Sequence, residues 1–390
     1  MTESKVNDLA KNLLNDRLHA NLSRRRFIQG AAGLGALTVL GAPGKGLAAE
    51  LGGPLNYFGW DGEHGANVAK DFLATNKIEL QASFQVSGDE ALTRFNTGGR
   101  GTLDLLTPNK DFQRTILESG IELFQPLDMA RIPNAAGLFP AFKDAPWLIK
   151  DGKVYGIPLI WGDEPCVYNP KKWDGMPAKY TDFADPKYKG ELVFMDDPFG
   201  NIWLYAKSVG VADPSRLTAD QLQQTIDAML KVKPNIVTIG ASFADVADVL
   251  VRGDGSIGVC GWAYQAMIAK EKGVELHVAS PSVDGTYYWE DAYAIAVDAP
   301  NIDNAYAFID FMTSPESNAA IATELGSGCT VEKAFDLMDP ALRDLYPYDA
   351  VRQPGGGILG TQVVFPPQEP QGDIVGVPQW QEAWQSFKIS

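Results

Sequence analysis

Short runs of apolar residues alternate along the chain with longer stretches in which apolar side chains recur every three or four positions. The first pattern is typical of buried β-strands, and the second is typical of α-helices that bury one face. The runs predict strands over 55–58, 103–107, 154–160, 191–195, 256–260, 275–279 and 292–297. The amphipathic stretches predict helices over 68–76, 89–97, 219–230, 243–252, 262–272, 301–312 and 315–325, and another helix after Asn109. The tail from Tyr346 is rich in proline, glycine and glutamine and is predicted to be mostly irregular.

This alternation of strands and helices predicts an α/β fold in which mixed, mostly parallel sheets are flanked by helices. The roughly 340 residues after position 49 are too many for one simple core, so we expect two lobes. Ligands of such sheets bind in a crevice beyond the carboxyl ends of the strands. Pro158 interrupts the run 154–160, which suits an edge strand or a crossover between lobes.

The first 49 residues have the pattern of an export signal. The stretch SRRRFI (23–28) precedes a modest apolar run that ends at Leu40, and small residues follow near Ala48 and Ala49. This order predicts a twin-arginine (Tat) signal, passage through the Tat translocase, cleavage near Ala48/Ala49 and a periplasmic location. The apolar run is too short to span a bilayer. The alternative is a basic surface patch in front of a short buried helix.

The charge balance excludes several classes of partner. The chain has 33 basic and 49 acidic side chains, and removal of the seven basic and three acidic ones in residues 1–49 leaves 26 and 46, a net of −20 with histidine neutral. Such a charge repels nucleic acid and anionic lipid and attracts cations. We therefore expect no nucleic-acid partner, although the charge by itself names no ligand.

The three cysteines, Cys166, Cys260 and Cys329, would work in an oxidising compartment after export. One pair could form a disulfide, but the sequence does not choose the pair. The chain has neither a Cys-x-x-Cys motif nor Cys/His zinc spacing, so we predict no metal site and no cofactor.

The positions that border the predicted strands are rich in tryptophan and carboxylate and contain no lysine or arginine. The candidate ligand-binding residues are Trp60, Asp61, Asn109, Asp197 and Trp262, together with Trp289 and Asp291 just before the predicted strand 292–297. An indole face attracts an ammonium group by ~0.5–2 kcal/mol, and a carboxylate adds a charge-assisted hydrogen bond. The set predicts a pocket for a small cationic amine. Alternatively, the tryptophans are core residues and the aspartates are helix caps, and Asp196 before Pro198 is the more typical cap or turn residue.

Catalysis fits the sequence poorly. Only His64 and His277 follow the signal, and neither lies in a recognisable nucleophile motif. Paired aspartates could serve an exported glycosidase, but such pairs are also common in turns. Tyr287 and Tyr288 could bind ferric ion, with help from His64 or Glu63, although adjacent tyrosines at the start of a strand more often pack on opposite faces.

Several segments resemble PotD-like spermidine/putrescine periplasmic binding proteins, the substrate-capturing subunits of ABC importers. The similar segments are 55–60, 103–109, YGIPLIWG (155–162), DPKYKG (185–190), FMDD (194–197) and YWED (288–291), and they occur in the family's order. The resemblance implies a two-lobed fold with the ligand in the interlobe cleft and an inner-membrane ABC permease as partner. The implied lobes are 50–161 plus 288–333 and 162–287 plus 334–390, with crossovers near Gly162 and Gly285.

Carried over to this sequence, the resemblance makes Trp60 and Trp289 aromatic walls and Asp197 and Asp291 receivers of ammonium groups. Asn109 falls where the family has a small polar contact, and the family tryptophan near Trp262 aligns with Gly261.

The chain also departs from the family pattern. Gly200 stands where spermidine binders carry a glutamate, and Ser327 stands where many have a tyrosine, so a shorter cation such as putrescine is favoured over a long triamine. The alternative ligands are a quaternary ammonium compound or a zwitterion such as γ-aminobutyrate, whose carboxylate would need a basic partner such as Arg94 or Arg100.

Overall fold

A computed structural model of the protein describes residues 51–85, 90–355, 359 and 365–390. The predicted export signal lies outside these residues, as does Asp89, the predicted start of a helix. Within the described part of the chain, no helix combines the length and the apolar character that a bilayer span requires.

Two mixed β-sheets form the centre of the fold. The strands, in chain order, are β1 (Gly53–Gly59), β2 (Ile78–Phe84), β3 (Leu105–Leu106), β4 (Ile149–Lys150), β5 (Lys153–Val154), β6 (Ile157–Asp163), β7 (Cys166–Tyr168), β8 (Leu192–Met195), β9 (Ile236–Gly240), β10 (Ile257–Val259), β11 (His277–Ala279), β12 (Tyr288–Ile295) and β13 (Gly328–Cys329). The six-stranded sheet has the order β13-β6-β12-β3-β1-β2, and the five-stranded sheet has the order β11-β7-β10-β8-β9. Strands β4 and β5 pair only with each other.

Parallel and antiparallel pairs occur in both sheets. In the six-stranded sheet β1 is parallel to β2 and β3, whereas β12 is antiparallel to β3 and β6 and β13 is antiparallel to β6. In the five-stranded sheet β8 is parallel to β9 and β10, and β7 is antiparallel to β10 and β11.

Helices cover the sheets. They are α1 (Lys70–Asn76), α2 (Glu90–Arg94), α3 (Lys110–Ser119), α4 (Pro140–Lys143), α5 (Pro198–Ser208), α6 (Ala219–Val232), α7 (Phe243–Arg252), α8 (Gln265–Glu271), α9 (Ile302–Met312), α10 (Pro315–Glu324), α11 (Pro340–Arg343) and α12 (Val377–Ile389). The α/β class with mixed sheets is therefore confirmed, but the described strand pairs of the two large sheets are four parallel and five antiparallel, so the sheets are not mostly parallel. A capping box starts α6, because Thr218 Oγ1 accepts the Gln221 amide while Gln221 Oε1 accepts the Thr218 amide.

Two connections between the two sheets lie side by side. Strand β6 ends at Asp163 and β7 begins at Cys166, while the return path runs from Ala279 to Tyr288. The two paths are joined by hydrogen bonds, since the Glu164 amide donates to Tyr287 O at 3.2 Å and Thr286 Oγ1 donates to Glu164 O at 2.6 Å. We call the two hydrogen-bonded segments of these connections, residues 163–165 and 285–288, the crossover strands.

Of the two positions that Pro158 suggested, the edge strand is wrong, because β6 is an interior strand, whereas β6 does lead into a crossover to the other sheet. Pro158 lies opposite Ala292, where the register of β12 shifts between Asp291 and Ala292. A residue without an amide hydrogen is tolerated at such a bulge because the regular ladder of hydrogen bonds is already interrupted there.

Each sheet has its own apolar core, and the C-terminal part of the chain contributes to both. Residues 334–351, which the resemblance implies for the second lobe, pack instead into the core around the six-stranded sheet through Ala334, Leu342, Tyr348 and Val351. The tail is less irregular than predicted, because helix α12 buries three aromatic side chains in the core of the five-stranded sheet: Trp380, Trp384 and Phe387.

Candidate functional site

A cavity of about 380 Å³ lies between residues of the two sheets. Its volume is within the range of small-molecule sites, ~300–1,000 Å³. All seven residues predicted from the sequence line it: Trp60, Asp61, Asn109, Asp197, Trp262, Trp289 and Asp291. We call this space the amine cavity. The residues that line it from the described part of the chain include no lysine, arginine or histidine.

Three half-buried indole rings form much of the wall of the amine cavity. Trp60 follows β1, Trp289 lies in β12, and Trp262 follows β10 in the other sheet. Trp262 is held by its Nε1–H, which donates to the Tyr346 hydroxyl at 3.1 Å. The cavity therefore offers aromatic faces from both sheets to a bound cation.

The alternation of side chains along β12 explains why Trp289 and Asp291 meet in one cavity. The strand begins at Tyr288 rather than at the predicted Ala292, so Trp289 and Asp291 lie within it, two positions apart. Such residues point to the same face of a strand. Glu290 points to the other face, where its Oε2 accepts the indole N–H of Trp147 at 2.5 Å.

Glu63 and Asp291 form a pair of carboxyl groups at the side of the cavity nearest the six-stranded sheet. Asn109 lies beside Asp291, because the two residues form an isolated antiparallel β-bridge. Burial raises the pKa of Asp291 to about 6, which the neighbouring Glu63 and Asn109 side chains partly oppose. Burial and then the charge of Asp291 raise the pKa of Glu63 well above its usual range. Glu63 Oε2 and Asp291 Oδ1 are buried and have no hydrogen-bond partner within the described residues.

This pair is poised to receive a cation. A buried polar atom without a partner is costly, and two close carboxylates repel each other when both are ionised. A bound ammonium group would supply the missing donors and favour the ionised forms of both carboxyl groups.

A second acidic group lies on the side of the cavity nearest the five-stranded sheet. Asp197 Oδ2 accepts the Tyr287 hydroxyl at 3.2 Å, and the Cys260 thiol lies 3.5 Å from Glu164 Oε2 and 3.8 Å from Asp197 Oδ2. Burial raises the pKa of Asp197, and burial followed by the charge of Asp197 raises the pKa of Glu164 well above its usual range.

Asp197 is also the N-cap of α5, and its two carboxylate oxygens accept the amides of Phe199 at 2.9 Å and Gly200 at 3.0 Å. These bonds and the helix dipole favour its ionised form. Asp196, the alternative cap or turn residue, is not the cap and lies in the bend between β8 and α5. Asp196 instead binds Lys388 Nζ at 2.9 Å and Trp384 Nε1 at 2.6 Å, which ties α12 to the five-stranded sheet.

The remaining charges around the cavity are placed differently. Asp61 is exposed at the rim. Asp111 is buried and forms an ion pair with the buried Lys110 at 2.8 Å, so its charge is already balanced. Asn109 caps α3, since its Oδ1 accepts the Asp111 amide at 3.1 Å.

Glu164, Asp197 and Cys260 each offer a possible metal ligand, and the three ligand atoms lie within 4.8 Å of one another. The sequence analysis did not identify this trio. Burial raises the pKa of the Cys260 thiol well above its usual range, whereas a thiol must lose its proton to bind a metal. The three cysteines are all buried and unpaired.

Tyr287 lines the amine cavity, whereas Tyr288 lines a different cavity on the opposite face. The two phenol groups thus do not converge on one ferric ion. The two arginines considered as partners for a zwitterion's carboxylate are engaged elsewhere, Arg94 with Ser83 and over the ring of Phe58, and Arg100 with Asp298.

Sequence reasoning missed Glu63, Glu164 and Tyr287 as lining residues of the cavity. Glu63 was considered only as an aid to an iron site, and the other two lie on the crossover strands rather than at the end of a predicted strand. The alternation of side chains along a strand would have identified Tyr287, because it lies two positions before Trp289 and shares its face. It would also have placed Glu164 on the opposite face from its neighbour Asp163.

Comparison with known proteins gives consistent matches. The family model described as bacterial extracellular solute-binding protein matches residues 67–343. The chain is 23% identical over 299 residues to the spermidine/putrescine-binding periplasmic protein of Escherichia coli K12, which covers 75% of this chain and 83% of that protein. It is 25% identical over 329 residues to a putrescine/cadaverine-binding protein of Pseudomonas aeruginosa, covering 79% of this chain and 87% of the relative.

Solved structures share the fold. The substrate-binding protein PotD of a spermidine/putrescine ABC transporter from Streptococcus pneumoniae superposes with a TM-score of 0.65 at 21% identity, covering 86% of this chain and 98% of that chain. The likeness extends over nearly the whole of the solved chain, so the arrangement of the two sheets is that of a known two-domain architecture.

Proposed function

The chain belongs to the bacterial extracellular solute-binding protein family, and from this we propose that it is the substrate-capturing subunit of an ABC importer for a small cationic polyamine. The observation that carries the proposal is the amine cavity, where three indole rings and two acidic groups from different sheets surround one space without a basic residue among its described lining residues. Its relatives named for spermidine, putrescine and cadaverine support the same ligand class. The family consists of transport proteins rather than enzymes.

Each acidic group would receive one ammonium group of a diamine. Glu63 and Asp291 serve one end, with Asn109 beside them, and Asp197 and Glu164 serve the other end. Trp60, Trp262 and Trp289 cover the alkyl chain and add cation–π attraction. Asp61 acts at the rim, where it attracts the cation electrostatically rather than by buried contact.

A short diamine such as putrescine suits this cavity better than a longer polyamine. No side chain can be accommodated at Gly200, because an added Cβ would lie 2.2 Å from the Tyr287 hydroxyl and 2.6 Å from Cys260 Sγ. The extra carboxylate that spermidine binders carry at this position is thus replaced by a close packing of Tyr287, Cys260 and Asp197. A ligand with two charges uses the acidic groups that are present.

A zwitterion such as γ-aminobutyrate is the less suitable ligand. Its carboxylate would face one of the two acidic groups, and like charges in a water-poor site repel strongly. Neither Arg94 nor Arg100 lines the cavity.

Closure around the ligand follows from the division of contacts between the two sheets. Only a closed cleft brings both acidic groups to the same amine, so the ligand favours the closed form over an open one. We propose that the two lobes move as the resemblance implies, except for one boundary. The packing of Ala334 and Tyr348 into the core around the six-stranded sheet supports moving the boundary at 333/334 to a position after residue 351.

Export through the Tat translocase to the periplasm, with cleavage near Ala48/Ala49, completes the proposal. It is supported by the arginines at 24–26 and by the periplasmic relatives. Replacement of Arg24 and Arg25 by lysine should leave the precursor uncleaved in the cytoplasm, as fractionation and immunoblotting would detect.

Ligand identity is tested most directly by mass spectrometry of the small molecules that co-purify with the protein, followed by thermal-shift assays. The panel should contain diamines, spermidine, choline and γ-aminobutyrate. The proposal expects the largest increase in melting temperature with a four- or five-carbon diamine. A larger increase with choline or γ-aminobutyrate would reject it.

A further inference from the structure

A second cavity, of about 550 Å³, lies on the other face of the crossover strands. Residues of these strands line opposite cavities: Glu164 and Tyr287 line the amine cavity, whereas Asp163, Thr286 and Tyr288 line the second one. We call the second space the back cavity. It is separated from the amine cavity by the thickness of the paired strands.

Asp163 is the outstanding group of the back cavity. Its side chain is only 6% exposed, and its Oδ1 is buried without a hydrogen-bond partner within the described residues. Burial raises the pKa of this carboxyl to about 7, opposed only by a hydrogen bond from its own backbone amide. Buried carboxyl groups are ordinarily paired with a cation or with hydrogen-bond donors. Among the residues that the structure describes, Asp163 has no ion pair and caps no helix.

The walls around Asp163 combine aromatic and apolar surface. Tyr168, Tyr288 and Tyr346 line the cavity together with Leu276 and Val278. The other charged groups on its wall already have partners, since His277 Nε2 lies 3.2 Å from Glu275 Oε1 and Asp344 Oδ1 accepts Arg343 Nε–H at 3.1 Å. Among the described residues of this wall, Asp163 is therefore the buried carboxyl group without a counterion.

We infer that the back cavity is a second binding site, for a small organic cation that carries one ammonium group and a short apolar body. The ammonium group would bind Asp163, and the tyrosine rings and aliphatic side chains would cover the apolar part. Tyr288 and Asp163 belong to the six-stranded sheet and Tyr168 to the five-stranded sheet, so the bound cation bridges both sheets behind the crossover strands.

The donor set argues for an organic cation rather than a metal ion. Within the described residues, Asp163 belongs to no group of three histidine, cysteine or carboxylate ligands close enough to share one ion. Divalent metals require several such ligands. One buried carboxylate with aromatic neighbours matches a single ammonium charge and differs from the paired acidic groups of the amine cavity.

The test is a titration of the full-length, isotopically labelled protein with propylammonium chloride at about pH 8, where most of the Asp163 carboxyl is ionised. Backbone NMR signals of Tyr168, Gly285 and Tyr288 report on the back cavity, and those of Trp60 and Asn109 report on the amine cavity. We expect saturable shifts of the first group in the wild-type protein. Asp163→Asn should weaken this response at least about tenfold, as loss of a hydrogen bond to a charged group predicts.

Two controls make the result specific. Asp174→Asn removes an exposed carboxylate elsewhere and should leave the titration unchanged. Propanol, which has the same carbon chain without the charge, should produce no saturable shift in the wild-type protein, so the test does not depend on how a variant folds. Non-saturating shifts, or equal saturation with propanol or with Asp163→Asn, would overturn the inference. Because Trp60 and Asn109 report on the amine cavity, a failure of the proposed function would be distinguished from a failure of this second site.

Discussion

The indole ring of Trp289 lies directly over Gly162, its antiparallel neighbour in β6. A Cβ atom added to Gly162 would lie 2.6 Å from Cζ2 and 2.7 Å from Cε2 of this ring. Those distances are too short for non-bonded carbon atoms, so any side chain at position 162 must push the indole away. Glycine at this position is what allows Trp289 to form a wall of the amine cavity.

The Gly162→Ala substitution should therefore weaken polyamine binding without removing any ligand contact directly. Displacement of Trp289 would cost about 0.5–2 kcal/mol of cation–π attraction, which is a roughly two- to thirtyfold increase in Kd. Titration calorimetry with 1,4-diaminobutane measures this change. The matched control is Gly137→Ala, where the added Cβ meets only Val331 Cγ1 at an ordinary 3.4 Å. Equal affinity of the two variants would show that Trp289 does not touch the ligand.

Asp291→Asn tests the acidic group near the six-stranded sheet. The substitution keeps the shape of the side chain and removes its charge, so we expect a loss of about 1.5–3 kcal/mol, or roughly 10- to 150-fold in Kd. Fluorescence or calorimetric titration would detect it. Asp71→Asn, on the exposed surface of α1, controls for the change in net charge. If both variants bind as the wild type does, Asp291 does not receive the ammonium group.

Polyamine affinity should increase with pH between about 5 and 7. The pKa of Asp291 in the ligand-free protein is raised to about 6 by burial, so part of the protein must release a proton before the carboxylate can pair with an ammonium group. A tenfold tightening across this interval is the expected size, because one pKa unit equals about 1.4 kcal/mol. Calorimetry in buffers of different ionisation enthalpy would show the released proton. A constant affinity across the interval would contradict this linkage.

The ligand-free protein should lose stability as the pH rises. Burial raises the pKa of Asp291 to about 6, of Asp163 to about 7 and of Glu290 to about 8. These groups hold their protons more tightly in the folded than in the unfolded chain, where carboxyl pKa values are about 4. Their stabilising contribution is complete below about pH 4 and is lost as the pH passes through about 6 to 8.

Scanning calorimetry between about pH 5 and pH 8 measures this effect as a falling melting temperature. Glu290→Gln, which keeps the hydrogen bond to Trp147 possible but cannot ionise, should make the fall shallower. A melting temperature that rises over the same interval would contradict the assignment of these carboxyl groups as buried and protonated.

Sequence patterns predicted the elements that depend mainly on contacts between residues close together in the sequence. Helix α7 spans Phe243–Arg252, as its apolar stripe predicts, and Ser242 caps it by accepting the Asp245 amide at 3.1 Å. Helix α12 was missed because the segment before it is rich in proline, glycine and glutamine, and its own stabilisation comes from burying Trp380 and Trp384 against a distant sheet. Such tertiary contacts leave no local signal.

In the amine cavity, too, residues close in sequence could be predicted together, whereas residues distant in sequence could not. Trp289 and Asp291 could be found as a pair because their spacing places them on one face of a strand. The partnership of Glu63 with Asp291 brings together residues more than two hundred positions apart, and only the pairing of β12 within the six-stranded sheet creates it. The role of Asp196 likewise depends on its ion pair with Lys388 in α12, which no pattern near residue 196 reveals.

We propose that two acidic groups, one from each sheet, bind the two ends of one dication. Calorimetric titration of the purified protein with 1,4-diaminobutane and, separately, with γ-aminobutyrate measures this most directly, because the two ligands have the same carbon skeleton length and differ in the charge at one end. We expect one-to-one binding of the diamine, at least about a hundredfold tighter than that of the zwitterion, because the zwitterion loses a charged hydrogen bond of ~1.5–3 kcal/mol at one end and adds repulsion between its carboxylate and an acidic group there. Comparable affinities, or no heat from the diamine at millimolar concentration, would contradict it.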